Sequence, residues 1–141
     1  MKKYVLLALV NIFLAIGSAH AQSDHITVDI PFDFVAANTT FHAGRYTIRP
    51  MDPNANFVLL RSADLKNAAL MSSCNCALEA RVEISSESKL VFKMAGTHHY
   101  LWQIWTKGDE VGRELPLNIP KTELATADKE DPVVIPAAIF P

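Results

Sequence analysis

The two cysteines, Cys74 and Cys76, are the only thiols of the chain and are separated by one residue. In an extended segment their Cα atoms would lie about 6.6 Å apart, near the upper limit of the roughly 4.4–6.8 Å that a disulfide accepts. A bridge would close so short a loop that it would remove little entropy from the unfolded chain. The spacing is compatible with a local disulfide, with unpaired or intermolecular cysteines, and with a redox or metal role.

Histidines do not complete a metal site around these cysteines. A zinc ion needs about four ligands in tetrahedral geometry. His98 and His99 are adjacent, so on a strand they point to opposite faces and at most one could join the cysteines. His25 and His42 lie alone in the sequence. We therefore predict no metal site and no cofactor.

Both tryptophans lie in the segment His98–Trp105. Period-two alternation places Tyr100, Trp102 and Ile104 on one face of a strand, and His99, Leu101, Gln103 and Trp105 on the other. An exposed tryptophan beside polar groups could stack on a sugar or a peptide. The pattern predicts a ligand-binding face of His99, Gln103 and Trp105. The alternative is a strand covered on both faces, with Trp105 in the core.

No catalytic residue stands out. Asp29 and Asp33 share one face of a strand but would lie roughly 13 Å apart, beyond the approximately 5–9.5 Å that paired carboxylates of glycosidases use. We expect them to be solubilising charges. Serine-nucleophile, phosphate-loop, zinc-protease and dinucleotide motifs are absent from the sequence.

The elements that would position these residues are mainly strands. Alternation predicts strands at residues 26–34, 43–49 and 80–84, and a hairpin of residues 89–94 and 99–106. Residues 57–60 are continuously apolar, which is typical of a strand covered on both faces. Pro31 predicts an edge or a bend in the first strand. One short helix is expected, with Asn118 as its cap, Pro120 in its first turn and residues 121–125 in its body.

Turn signals recur about every 8–12 residues, which is typical of antiparallel architectures. We predict an all-β fold, an antiparallel β-sandwich or small β-barrel of about seven to eight strands, with one short helix near the C-terminus. The β domain is expected over residues 22–126. Residues 127–141 would form a charged linker and an apolar, proline-containing tail, the tail being an edge strand or a packed terminal arm.

Residues 1–21 contain two lysines, no acid and a short apolar run that ends in small residues, which predicts a signal peptide cleaved after Ala21. Its removal would leave 120 residues with 11 Lys and Arg against 15 Asp and Glu, a net charge of −4. That charge argues against a nucleic-acid partner. The apolar run of about 13 residues is shorter than the roughly 20 that span a membrane as a helix, so we expect no membrane anchor in the mature chain.

Five motifs together resemble a family of small exported bacterial proteins of uncharacterised function. They are residues 30–35 (IPFDFV), 43–50 (AGRYTIRP), 89–92 (KLVF), 103–105 (QIW) and 112–116 (GRELP). The resemblance spans nearly all of the mature chain, and the chain departs from the pattern at residues 73–76 and in its final tail. It implies a secreted β protein and brings no activity or catalytic residues with it.

These features favour an exported, non-enzymatic β domain that acts in the periplasm or outside the cell as a binding or structural module. Its ligand or protein partner is not indicated by the sequence. The alternative is a small secreted hydrolase, or a thiol- or metal-dependent protein, that uses His99 or the Cys74/Cys76 pair.

Overall fold

The computed structural model describes residues 25–52, 54, 56–74, 87–108, 111–127 and 129–140. Within these ranges the chain is mainly β, with ten strands and one short helix. The elements are β1 (His25–Ile30), β2 (Phe34–Ala36), β3 (Thr39–Phe41), β4 (Gly44–Pro50), β5 (Phe57–Ser62), β6 (Ala68–Ser72), β7 (Ser88–Ala95), β8 (His98–Trp105), β9 (Arg113–Glu114), α1 (Lys121–Ala127) and β10 (Val133–Phe140). The predicted signal peptide and the predicted strand at residues 80–84 lie outside the described residues.

The strands form one curled, open sheet, a half-barrel, in the order β3-β2-β8-β7-β10-β1-β4-β5-β6, with β9 beside β8. Neighbours are antiparallel except the parallel pair β2 and β8. The all-β prediction and the single short helix near the C-terminus are confirmed. The predicted strand number was too low, because the short strands β2, β3 and β9 span only two or three residues and show no readable alternation.

The tail of the chain lies inside the sheet. β10 pairs first with β7, through Val133 to Ala137, and then with β1, through Ala138 to Phe140. The prediction of an edge strand or terminal arm was therefore wrong. Pro136 lies in the stretch that is paired on one side only, where its missing N–H can face away from the ladder.

The concave face of the sheet holds the main hydrophobic core. Aromatic rings meet at its centre: Phe34 packs against Phe41, Tyr46 and Phe92 at centroid distances of 5.4, 5.1 and 5.6 Å. A smaller cluster lies on the opposite face, where Ala95 and Tyr100 pack against Ala127 of α1. The sheet therefore carries one face over the main core and part of the other face under the helix.

Two strands differ from their predicted environment. β1 ends at Ile30, just before Pro31, and lies between β10 and β4 rather than at an edge. β5 is covered on one face only, since Phe57 is 49% exposed while Val58 is buried. A continuous apolar run was thus not a sign of burial on both sides.

The helix begins after Pro120, whose carbonyl accepts the amides of Glu123 and Leu124 at 2.9 and 3.1 Å. Asn118 was expected to cap this helix. Instead, its side-chain amide donates to the side-chain oxygen of Asn38 at 2.9 Å, which ties the segment before the helix to the turn between β2 and β3. In the described part of the chain no helix has the length and apolar character needed to cross a membrane.

Candidate functional site

A bulge in β8 divides the face that we predicted to bind a ligand. In β7, Phe92 pairs with Leu101 and the preceding residue, Val91, pairs with Gln103. Trp102 of β8 therefore has no partner in β7 and is the extra residue. An extra residue changes the phase of the side-chain alternation. Leu101 and Ile104 consequently both lie in the main core, which strict alternation does not allow.

His99 lies before the bulge and packs toward the main core. Its ring stacks on Phe32 with centroids 3.9 Å apart and planes at 14°, and Phe32 itself packs against the core cluster. Burial lowers the pKa of His99, and a hydrogen bond with the backbone of Asp33 acts in the opposite direction. Burial thus favours the neutral form of the packed imidazole.

Gln103 and Trp105 lie after the bulge and contact each other. Trp105 Nε1 donates to Gln103 Oε1 at 3.1 Å, and Gln103 is only 6% exposed. Lys89 Nζ lies 5.5 Å from the centre of the Trp105 ring. The ring also covers Gly112, where an added Cβ would lie 2.6 Å from the indole. The structure thus brings Gln103 and Trp105 together and places His99 against Phe32. A ligand-binding role for these residues stays a prediction.

Cys74 lies where β6 approaches β9. Its backbone N–H donates to the carbonyl of Glu114 and its carbonyl accepts the Glu114 N–H, both at 3.0 Å. Cys74 is disulfide-bonded, and the predicted partner Cys76 lies outside the described residues. This single backbone bridge spans the gap between the β6 end of the sheet and β9.

Next to this bridge is a cavity of about 190 Å³, which we call the seam cavity. It lies between β6, β2, β8 and the segment that leads from β9 to α1. Most of its lining residues are apolar, but polar atoms form about half of its surface. The lining consists of Val35, Ala36, Ala37, Asn38, Leu70, Met71, Ser72, Tyr100, Leu101, Leu115, Pro116, Leu117 and Asn118. An adjoining depression is lined by Ser72, Cys74 and Glu114 among others, so the cavity borders the bridge.

Behind the cavity, the phenol of Tyr100 is anchored to α1. Tyr100 Oη donates to Glu123 Oε2 at 3.1 Å, and His98 Nδ1 lies 3.4 Å from the same oxygen. Burial raises the pKa of Tyr100, and the Glu123 carboxylate acts in the same direction. These contacts fix the helix to the hairpin of β7 and β8 and hold Tyr100 in place as part of the cavity wall.

Asp29 and Asp33 each have a separate partner. Arg45 donates to both carboxylate oxygens of Asp29, at 2.8 and 2.9 Å, and this hydrogen bonding lowers the pKa of Asp29. The backbone N–H of Ala43 bonds Asp33 at 2.8 Å and, with His42, lowers the pKa of Asp33. Among the described residues no cluster of three or more His, Cys, Asp or Glu side chains could hold a metal ion.

Sequence reasoning missed the seam cavity, because four separate segments contribute its walls. The one local signal is the pair Pro116 and Pro120, which interrupts the chain between β9 and α1. No protein-family model matches the chain, and neither a curated protein nor a solved structure is significantly similar to it. The site is therefore described from its own geometry.

Proposed function

We propose that the protein is an exported, non-enzymatic binding module and that the seam cavity is its ligand site. The observation that supports this role is a cavity, lined by apolar residues and by polar groups, placed where the sheet does not close. In this proposal the curled sheet works as a small barrel, with the Cys74 to Glu114 bridge as its closure. The rigid strands on either side hold the cavity open.

The volume of the cavity limits its occupant. About 190 Å³ is slightly more than the roughly 150 Å³ of an engineered apolar cavity that binds benzene. It is less than the roughly 300–1,000 Å³ of ordinary small-molecule sites. The cavity therefore suits one apolar group, such as an aromatic ring or a branched side chain. The Asn38 and Asn118 side chains and Ser72 supply polar groups in its wall.

Binding can be tested with indole and toluene as probes. We expect each probe to shift amide signals in NMR spectra of ¹⁵N-labelled protein, with the largest shifts at residues 35–38, 70–72 and 115–118. Ser72→Trp should weaken these shifts, because a large ring on the exposed Ser72 would cover the cavity. Ala68→Trp is the matched control, since Ala68 is an exposed residue of the same strand that does not line the cavity. Shifts spread over the whole sheet, or equal effects of both variants, would contradict the proposed site.

The enzymatic alternative predicts a different result. A thiol-dependent protein would contain a bridge that is readily reduced and would reduce or oxidise a model disulfide substrate. Thiol titration with and without dithiothreitol, combined with an insulin-reduction assay, measures both properties. Turnover in that assay, lost in Cys74→Ser, would replace the binding proposal with the thiol-dependent one.

Export has its own test. Protein recovered from the periplasm or medium of an expressing bacterium should begin at Gln22, because the small residues before it form the predicted cleavage site. Intact mass measurement and N-terminal sequencing read this out. Ala19→Arg together with Ala21→Arg should block processing. An uncleaved chain that stays inside the cell without these substitutions would refute the export proposal.

A further inference from the structure

We call the gap between β6 and residues 114–118 the seam. We propose that the seam is an acceptor for an extended peptide, which adds as a strand to the unpaired edge of β6 and places one apolar side chain in the seam cavity. This inference rests on the binding function proposed above and names its ligand class. The direction of the β6 backbone groups, the position of Pro116 and the size of the cavity support it.

The outward direction of the β6 backbone follows from the hydrogen bonds of its neighbours. Ser73 N donates to Asn56 O at 2.7 Å, so the backbone groups of Ser73 point toward β5. In an antiparallel pair this direction alternates along the strand. The backbone groups of Ser72 and Leu70 must therefore point away from β5. Cys74 has the same parity and does bond outward, to Glu114.

β6 is the last strand of the sheet, and among the described residues nothing pairs with the outward groups of Leu70 and Ser72. Both residues also line the seam cavity. An unpaired strand edge is a template for another strand. The backbone groups of Leu70 and Ser72 that point away from β5 thus belong to residues that line the cavity.

Pro116 explains why the segment that follows β9 does not continue along this edge. Continuing the antiparallel register from Cys74 and Glu114 would place Ser72 opposite Pro116. Proline has no N–H, so it cannot donate to the Ser72 carbonyl, and the ladder stops after one bridge. Within the described part of the chain, pairing along this edge therefore stops at the position of the proline.

An extended peptide fits these features better than a free small molecule. Strand addition uses main-chain hydrogen bonds for affinity and side-chain pockets for specificity. The β6 edge provides main-chain hydrogen bonds, and the cavity of about 190 Å³ provides room for one large apolar side chain. A ligand without a backbone would make no use of the backbone groups of Leu70 and Ser72, which would stay hydrogen-bonded to solvent.

The test uses a panel of acetylated and amidated heptapeptides of alternating threonine and valine, in which the central residue is Phe, Leu, Ala or Asp. We expect binding in the order Phe or Leu above Ala above Asp, with amide shifts at Leu70 and Ser72. Two further Phe peptides carry N-methyl groups on alternate residues. One of the two should lose about tenfold or more in affinity, because only one set of amides faces β6, while the other should bind within about threefold of the parent.

Proline variants locate the edge. Ser72→Pro should lower peptide affinity about tenfold or more. Ala68→Pro is the matched control, because its N–H has the same outward parity but Ala68 does not line the cavity. Both variants should keep the native amide spectrum, which shows that each is folded.

The outcomes separate this inference from the function on which it rests. Indole binding without peptide binding, or equal affinity of all N-methylated peptides, overturns the peptide proposal and leaves the binding module intact. Absence of both indole and peptide binding overturns both. Sedimentation that shows a dimer abolished by Ser72→Pro would assign the edge to a second copy of this chain and would also overturn the peptide proposal.

Discussion

Trp105 is fixed by three unlike neighbours. Gln103 accepts its indole N–H, Lys89 lies over the ring, and Gly112 provides a surface without a side chain. The close approach to Gly112 requires that there be no Cβ at this position. Such a ring is oriented by packing as well as by hydrogen bonding, and it leaves part of its surface open to solvent.

Gly112→Ala should destabilise the fold by about 1–3 kcal/mol, because the new methyl group would overlap the Trp105 ring. Urea denaturation followed by tryptophan fluorescence measures the loss. In a Trp105→Leu background the same substitution should cost less than about 0.5 kcal/mol, since the ring that it strikes is gone. Equal costs in the two backgrounds would show that the indole is not the obstacle.

The lowered pKa of His99 should make the free energy of unfolding depend on pH. Because burial lowers its pKa in the folded state, the unfolded chain takes up a proton first as the pH falls through about 6.5. Stability is therefore full above the unfolded pKa and is lost as the pH falls toward the folded pKa. His99→Phe, which keeps a ring on Phe32, should be less sensitive than the native chain between pH 7.5 and 5.0.

Urea denaturation at the two pH values compares these proteins, and NMR titration of the His99 ring gives the folded pKa directly. The carboxyls of Asp29, Asp33 and Asp64 have lowered pKa values. The stability that they contribute is therefore lost only below the pH range of this comparison. A His99 midpoint at or above its ordinary value would contradict the burial argument.

At the scale of elements, the seam depends on one missing hydrogen-bond donor. Pro116→Thr would restore an N–H opposite the Ser72 carbonyl, so the ladder from the Cys74 bridge could extend. We expect slower hydrogen exchange at the Ser72 amide and weaker indole binding. Pro120→Ala, at the start of α1, is the control and should leave both properties unchanged. Unchanged exchange at Ser72 in Pro116→Thr would show that the proline is not what keeps the seam open.

The hairpin of β7 and β8 contains one feature that the sequence predicts and one that it does not. The hairpin of β7 and β8 was predictable, because its alternation and the turn at Gly96, with φ of 61°, are local. The bulge at Trp102 was not, since an extra residue leaves no mark in a pattern that remains apolar on both sides. That shift separates His99 from Gln103 and Trp105, and it is why the candidate face could not be assembled correctly from periodicity alone.

At the scale of the whole molecule, the order of the strands is largely non-local. β10, the last strand of the described residues, lies between β7 and β1, which is the first strand. Alternation identifies a strand but not its neighbours, so the apolar tail was expected at an edge of the sheet or as a packed terminal arm. The seam cavity escaped prediction for the same reason, because Val35, Leu70, Leu101 and Leu117 become neighbours only through this order.

The position of β10 leads to a test of the whole fold. A chain that ends at Asp131 would lose the strand that joins β7 to β1 and would expose the edges of both. We expect this truncated protein to lose the native amide spectrum, because Ile135 and Ala137 also pack on the main core. A synthetic peptide of residues 133–141 added in trans should restore native signals, whereas a scrambled peptide should not. A native spectrum from the truncated chain alone would mean that the half-barrel holds together without its central strand.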